Sequence, residues 1–332
     1  MTGHAVLQDR FGRRITYLRL SVTDRCDFRC LYCMTDRMTF LPREELLTLE
    51  ELLGVARAFC RLGISKIRVT GGEPLVRQNV LWLLRELARL PGMYELALTT
   101  NGSQLERFAA ELRAAGVQRI NISLDTLDPV RFRRLTRVGN LDRVLHGIDA
   151  AGRAGFGRIR LNAVILKGYN DDEVIDLVEF AMARGMDIAF IEEMPLGMID
   201  AYDRAEAHCS SDEIRRMLAQ RFTLLPTLEG TGGPALYYRI AGGTTRVGFV
   251  SPHSHNFCAA CNRVRVTAEG RLLLCLGQEH SVDLRRVLRE APGDAERLGR
   301  VIVGAMAIKP RGHEFDHHAP PKIVRFMNHT GG

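Results

Sequence analysis

The sequence predicts an α/β fold: an incomplete (β/α)6 barrel, TIM-like in plan, followed by a C-terminal α+β extension. Three observations carry this expectation. Strand-like and helix-like segments alternate from about residue 15 to 195, as in a parallel sheet with helical crossovers. Each strand-like segment is apolar on one face and polar on the other. After residue 200 the alternation stops.

The strand candidates run in order as "TYLRLSVTD" (16–24), "KIRVTGGEP" (66–74), "ELALTTNG" (95–102), "QRINISLD" (118–125), "RIRLNAVIL" (158–166) and "DIAFIEEMP" (187–195). Between them, "LTLEELLGVARAFCRLG" (47–63) and "LERFAAELRAAG" (105–116) carry helical periodicity. "NDDEVIDLVEFAMARG" (170–185) opens on acidic residues and closes on a glycine, as a capped helix should. Six units are too few for a closed eight-fold barrel.

A parallel sheet covered on both faces should be apolar on both. Here Arg19 and Ser21 alternate with Leu18 and Leu20, and Arg68 and Thr70 with Ile67 and Val69. Asn121, Ser123 and Asp125 alternate with Ile120, Ile122 and Leu124; Arg160 and Asn162 alternate with Ile159 and Leu161. Side chains two apart share a face. With the apolar set against the helices, the polar set lines a wet, charged lumen. Beyond residue 200, "TLEGTGGPALYYRIAGGTTRVGFVSP" (227–252) is Gly-rich and strand-like with turn signals. The expected division is 12–200 for the barrel unit and 201–332 for a smaller second domain.

The composition, 46% hydrophobic and 26% charged, is that of a soluble globular chain. No apolar run is long enough for a transmembrane helix, and the opening "MTGHAVLQDRFGRR" lacks a signal-peptide core, so the expected location is the cytoplasm, with no membrane partner. The net charge of +7 suits an anionic partner, either nucleic acid or a phosphate-bearing small molecule.

Six of the eight cysteines fall in two groups of three. Clustered cysteines in a reducing compartment are more often metal ligands or catalytic groups than disulfides. The first group, Cys26, Cys30 and Cys33 in "DRCDFRCLYCMT" (24–35), follows the first strand with C-x3-C-x2-C spacing. Structural zinc takes four ligands, so a fourth would have to come from elsewhere. A 4Fe–4S cluster also usually takes four thiolates. Held by three, it keeps one iron open to a small ligand. The glycines of "TGGEP" (70–74) let backbone approach a ligand closely, although the segment also reads as an ordinary turn.

The second group, Cys258, Cys261 and Cys275 in "NFCAACNRVRVTAEGRLLLC" (256–275), has C-x2-C-x13-C spacing. It is three-quarters of a zinc ribbon, which His253 or His255 could complete. In "CNRVRV", Cys261, Arg263 and Arg265 share one strand face. Two guanidiniums beside a metal suit a phosphate-bearing ligand; the other reading is a solvated strand face.

The three-cysteine loop, with Tyr32 before its last cysteine, resembles the signature of the radical S-adenosylmethionine (SAM) enzymes. Nearly the whole chain is similar to the GTP-cyclising family within them, which opens molybdenum-cofactor biosynthesis. The likeness lies in "LRLSVTDRCDFRCLYC", "IRVTGGEPLVR", "TTNG", "ISLDTLD", "IEEMP", the second cysteine group, "KPRGHEF" (309–315) and the terminal Gly331 and Gly332.

The resemblance implies two 4Fe–4S clusters, one on Cys26, Cys30 and Cys33 and one on Cys258, Cys261 and Cys275. It implies that Tyr32, Gly72, Ser123 and Met194 contact SAM. Arg19, Arg68, Thr99, Arg160, Arg263 and Arg265 would surround GTP, with Arg263, Arg265, Gly331 and Gly332 as the catalytic group. Position 160 departs from the family, which commonly has lysine there, and Thr35 stands where proline is common. The implied reaction is hydrogen abstraction at C3′ of GTP followed by closure onto C8. Implied partners are GTP, an electron donor and, by metabolite transfer, the downstream cyclic pyranopterin monophosphate synthase. A homodimer is also implied, and no nucleic-acid partner.

Two competing readings follow from the same residues. One is a radical peptide maturase with an auxiliary cluster, which would usually carry more C-terminal cysteines. The other is a non-catalytic zinc or nucleic-acid-binding protein, for which an aromatic-rich basic stripe is missing. Cys60 reads as core, Cys209 shows no cluster spacing, and His317 and His318 read as solvent-facing.

Overall fold

Apolar residues at every second position bury one face of six short strands against helices. In the computed structural model, which describes residues 6–331, these strands are β1 (Tyr17–Ser21), β2 (Lys66–Thr70), β3 (Glu95–Thr100), β4 (Arg119–Ser123), β5 (Arg158–Val164) and β6 (Asp187–Ile191). The crossovers are α1 (Leu49–Arg61), α2 (Val80–Ala88), α3 (Leu105–Ala114), the pair α4 (Pro129–Thr136) and α5 (Leu141–Arg153), and α6 (Val174–Ala183). Local signals place their starts. Thr48 and Glu51 form a capping box on α1, and Asp128 caps α4 ahead of Pro129. The segment read as one helix from 170 begins as a 3-10 turn over Asp171–Glu173 and becomes α-helical at Val174.

Leu18, Leu20, Ile67, Val69, Ile120 and Ile122 lie in the core between sheet and helices. The opposite face, with Arg19, Arg68, Asn121 and Arg160, opens on the central cavity. An incomplete barrel with a polar lumen is therefore what forms.

The extension supplies α7 (Arg204–Ala207), α8 (Ser211–Ala219), β7 (Leu224–Pro226), β8 (Leu236–Ile240), β9 (Arg246–Val250), β10 (Arg263–Val266), β11 (Arg271–Leu273) and β12 (Ser281–Asp283). It ends in α9 (Leu284–Glu290), α10 (Ala295–Ala305) and α11 (Met327–Thr330). Its strands join both edges of the barrel sheet, in the order β12-β11-β10-β1-β2-β3-β4-β5-β6-β9-β8-β7. β10 runs parallel to β1, with Arg265 level with Arg19, and β9 runs parallel to β6, with Gly248 level with Ala189. The eight central strands are thus all parallel. No helix is long and apolar enough to cross a membrane among the described residues.

The β6–β9 edge is held by charge as well as by its ladder. Asp187 accepts from the Arg246 backbone at 3.1 Å, from Nε at 3.2 Å and from Nη2 at 2.5 Å. Both side chains are buried, and Arg246 reaches Glu229 at 3.1 Å as well. Removing Asp187 leaves a buried guanidinium with only its outer partner. Asp187→Ala should lower stability by about 3 kcal/mol, read by urea unfolding followed by circular dichroism. A loss within error of zero would show that the pair does not hold this edge.

Candidate active site

The first cysteine group sits on the loop leaving β1, and that loop is fixed by backbone. Val22 N donates to Thr70 O at 2.9 Å, Gly72 N to Thr23 O at 2.8 Å and Glu73 N to Arg25 O at 2.8 Å. The approach leaves no room for a side chain. A Cβ on Gly71 would lie 2.6 Å from Thr23 O, and one on Gly72 would lie 2.4 Å from Arg25 O. Glu73 is buried and accepts from Thr100 Oγ1 at 2.9 Å and Asn101 N at 2.7 Å. Burial pushes its carboxyl up to about 8 against these donors. Asn101 Nδ2 donates to Asp27 Oδ1 at 2.7 Å and lies 3.8 Å from Cys26 Sγ. "TGGEP" and "TTNG" together therefore hold the start of the loop.

Its far side rests on the end of α4. Arg29 N and Leu31 N donate to Thr136 O and Leu135 O at 3.0 and 2.9 Å. Arg137, at a left-handed φ of 63°, donates from Nη1 to Arg29 O and Met34 O at 3.1 and 2.9 Å. Cys26, Cys30 and Cys33 are free, half-buried thiols. Burial raises all three, and neighbouring thiols and carboxyls add to the cost of ionising Cys26 and Cys30. Three such sulfurs become thiolates together only beside strong positive charge, so the donor set fits an iron–sulfur cluster.

Tyr32, Ser123 and Met194 open on a cavity of about 220 Å³ within the barrel. Tyr32 donates to Asp125 Oδ2 at 2.6 Å, and Val164 N donates to Asp125 Oδ1 at 2.8 Å. Burial raises the Asp125 carboxyl to about 6. Gly72 is not on the cavity wall; it stands behind it, against the cysteine loop.

Arg19, Arg68, Thr99, Arg160, Arg263 and Arg265 all line the same cavity. Arg68 Nε donates to the Tyr17 hydroxyl at 2.6 Å and Nη1 to Leu98 O at 3.3 Å. Burial alone would raise the Tyr17 phenol, but Arg68, Arg19 and Lys66 bring it down to about 7. Burial brings Arg19 down to about 10, and Arg68, Arg263 and Arg160 push the same way. Burial lowers Arg265 strongly, with Arg19 and Arg263 adding to it. Buried guanidiniums that disfavour one another's charge make a receptor for a polyanion. Arg265 Nη1 donates to Gly331 O at 2.8 Å. Gly331 has φ 76°, and a Cβ there would meet Thr70 Cγ2 at 2.4 Å. The chain end is thus packed inside as far as Gly331; Gly332 lies outside the described residues.

Cys258, Cys261 and Cys275 line the cavity where β10 begins. β10 is level and parallel with β1, so Cys261 stands beside the start of β1 while Cys26 follows its end. The second group lines the cavity directly, whereas the first loop reaches the cavity wall through Tyr32 and not through its cysteines. Lys309, buried, donates from Nζ to Arg263 O at 3.0 Å and to Leu274 O, and lies 3.8 Å from Cys261 Sγ. Burial would raise the Cys261 thiol, but Lys309 and Arg263 hold it below its ordinary value. Arg13 Nη1 binds Cys258 O and Arg311 O, both at 2.8 Å. No group of three His, Cys, Asp or Glu converges on a single ion among the described residues. Three thiols spread along a cavity wall fit a polynuclear cluster instead, which takes each sulfur on a separate iron. His255 pairs with Asp212 at 3.0 Å and His253 with Glu193 O at 2.9 Å, so neither completes a zinc site.

Cys60 is buried in the apolar core and His318 is exposed, as the sequence predicts; Cys209, which stands apart from both cysteine groups, is buried there too. His317 is a correction. It is half-buried and stacked on His208, with centroids 4.2 Å apart, because the 313–318 segment folds back over the turn after α7. Sequence reading also passed over Lys66, Tyr17 and Lys309 as site residues. Tyr17 and Lys66 share the period-two face of Arg19 and Arg68, a signal that could have found them. Nothing local marks Lys309 as a cluster neighbour.

Two family models match the chain: Radical SAM superfamily over residues 20–181 and Molybdenum Cofactor Synthesis C over residues 186–315. A GTP 3′,8-cyclase of Pseudomonas entomophila (strain L48) is 61% identical over 327 residues, covering 98% of each chain. One of Pseudomonas syringae pv. syringae (strain B728a) is 58% identical over 328 residues, covering 98% of this chain and 99% of the other. Among solved structures, Streptococcus suis SuiB bound to S-adenosylmethionine matches with a TM-score of 0.61 at 16% identity, over 86% of this chain and 68% of that one. That likeness speaks to the fold.

Gly72→Ala should expel the first cysteine loop from its seat, since the obstacle is backbone. After anaerobic reconstitution the variant should hold about half the iron of the parent chain. Full iron content would mean that the loop tolerates the added methyl.

Proposed function

We infer the reaction from one premise: the chain belongs to the radical SAM superfamily and, within it, to the GTP 3′,8-cyclase family. It cyclises GTP to (8S)-3′,8-cyclo-7,8-dihydroguanosine 5′-triphosphate, the first step of molybdenum-cofactor biosynthesis, using two 4Fe–4S clusters and SAM. The observation that carries this reading is a single arginine-lined cavity walled by Cys258, Cys261 and Cys275 and by Tyr32 of the first cysteine loop.

In our assignment Cys26, Cys30 and Cys33 hold the first cluster, and Tyr32, Gly72, Ser123 and Met194 form the SAM side of the site. Cys258, Cys261 and Cys275 hold the second cluster, whose open iron takes the guanine end of GTP. When bound, the first cluster would supply the electron that cleaves SAM into methionine and a 5′-deoxyadenosyl radical able to take the C3′ hydrogen. Bonding of C3′ to C8 would leave a radical on the guanine nitrogen, which a second electron and a proton convert to the dihydro product. The chain's own work is positioning and charge. Arg19, Arg68, Thr99, Arg160, Arg263 and Arg265 neutralise and orient the triphosphate. Holding both reactants in one channel replaces a bimolecular encounter by a fixed approach. Arg263, Arg265 and Gly331 form the catalytic group, with Arg265 held on Gly331 O; Gly332, assigned to the same group, lies outside the described residues. On this reading residues 12–200 carry the SAM chemistry and 201–332 carry the second cluster and the GTP site. The reading places the enzyme in the cytoplasm, as a homodimer. A separate reductant supplies both electrons, and the product passes by metabolite transfer to cyclic pyranopterin monophosphate synthase.

The test uses reconstituted protein with dithionite, SAM and GTP deuterated at C3′. Deuterium should appear in the 5′-deoxyadenosine, detected by mass. Deoxyadenosine without deuterium would remove the C3′ assignment. Arg263→Ala and Arg265→Ala should each weaken GTP binding about tenfold or more, with SAM binding retained. Unchanged GTP affinity in both would defeat their placement.

A further inference from the structure

Arg160 is held from behind by two acceptors. Its Nε donates to Asn162 Oδ1 at 2.9 Å, and its Nη1 donates to the Tyr237 hydroxyl at 2.7 Å. Asn162 is two residues along β5, on the same face. Tyr237 comes from β8, in the extension, three strands away in the sheet order. It is buried, whereas Arg160 lines the cavity.

The seat of the Tyr237 ring is built. In the β8–β9 pair, Tyr237 is level with Gly248, and a Cβ on Gly248 would lie 2.8 Å from Tyr237 Cε1. The Arg246 guanidinium lies 4.9 Å from the ring centroid and is itself tied to Asp187. The hydroxyl therefore has a fixed position from which to meet Arg160.

A guanidinium is planar, and two hydrogen bonds at different nitrogens fix its plane. Among the described residues none accepts from Nη2, which remains for a ligand in the cavity. A lysine at 160 would present a single rotating point donor with no plane to hold.

We propose that Tyr237 is a positioning residue for the triphosphate of GTP, acting through Arg160 by fixing the plane in which its remaining donors meet phosphate oxygens. The proposal rests on the reading above, in which Arg160 faces GTP.

The test is a double-mutant cycle on the reconstituted holoenzyme, with GTP binding and steady-state kinetics measured together. Tyr237→Phe should raise KM and Kd for GTP about tenfold, the worth of one hydrogen bond to a charged group, while kcat changes less than about twofold and KM for SAM is unchanged. Asn162→Ala should act in the same direction through the other pin. In an Arg160→Lys background, Tyr237→Phe should change GTP affinity less than about twofold. Equal effects of Tyr237→Phe in both backgrounds would show that it acts through the sheet and not through Arg160, overturning the proposal. So would unchanged GTP affinity in Tyr237→Phe when Arg160→Ala weakens it, an outcome that leaves the GTP reading intact. If Arg160→Ala also leaves GTP affinity unchanged, the placement of Arg160 at the triphosphate falls, and this proposal with it. Iron content confirms that each variant retains both clusters, and Asn162→Ala carries the test if Tyr237→Phe loses one.

Discussion

Like charge gathered inside a parallel sheet is the constraint around which this molecule is built. Arg19, Arg68, Arg160, Arg263 and Arg265 share one cavity with Lys66, and burial with mutual repulsion disfavours the charged form of Arg19 and Arg265. Such a lumen cannot close into the packed apolar core of an ordinary eight-fold barrel. The protein instead relieves part of the charge with a carbonyl, two phenols and an amide, Arg68 on Leu98 O and Tyr17 and Arg160 on Asn162 and Tyr237, while Lys66 pairs with Glu95. The positive charge these partners leave suits a ligand carrying several negative charges.

The same constraint explains the role of the extension. A six-stranded unit would expose both edges of its sheet and open its lumen to water. β9 and β10 add themselves in parallel to those edges, and each brings part of the site. β10 carries Arg263 and Arg265 and is preceded by Cys261; β9 offers Gly248, on which the Tyr237 ring rests. The chain end then lies against both halves. Met327 N donates to Cys33 O at 3.2 Å, Asn328 Nδ2 to Asp24 O at 2.8 Å, and Gly331 O accepts from Arg265. One short segment thus touches the first cysteine loop and the strand that lies between Cys261 and Cys275.

Glycine sets how near the two sides of the SAM end can come. At Gly71 and Gly72 the opposing atoms are carbonyl oxygens of residues 23–25, which have no rotamer by which to retreat. The cysteine loop is therefore located by backbone contact with the end of β2, while side chains such as Glu73, Asn101 and Asp27 lock the arrangement. The buried carboxyl and thiol groups gathered here suit a neighbour of strong positive charge.

What the sequence determined by itself was everything with a local period or spacing. Alternation placed Arg19, Arg68, Asn121 and Arg160 on one face; C-x3-C-x2-C and C-x2-C-x13-C marked the sulfur donors; glycine pairs marked close backbone approach. These are short-range facts, because a strand's geometry assigns a side chain's face from its neighbours two residues away. Only tertiary structure decided what depends on distant segments meeting. It paired β10 with β1 across most of the chain, and β9 with β6 past α8 and the β7–β8 hairpin. It brought Lys309 to Cys261, His317 onto His208 and Tyr237 to Arg160, contacts that span 48, 109 and 77 positions of chain. Hydrogen bonds and ring contacts across such separations leave no periodic mark, since they are set by how whole elements pack and not by the residues beside them.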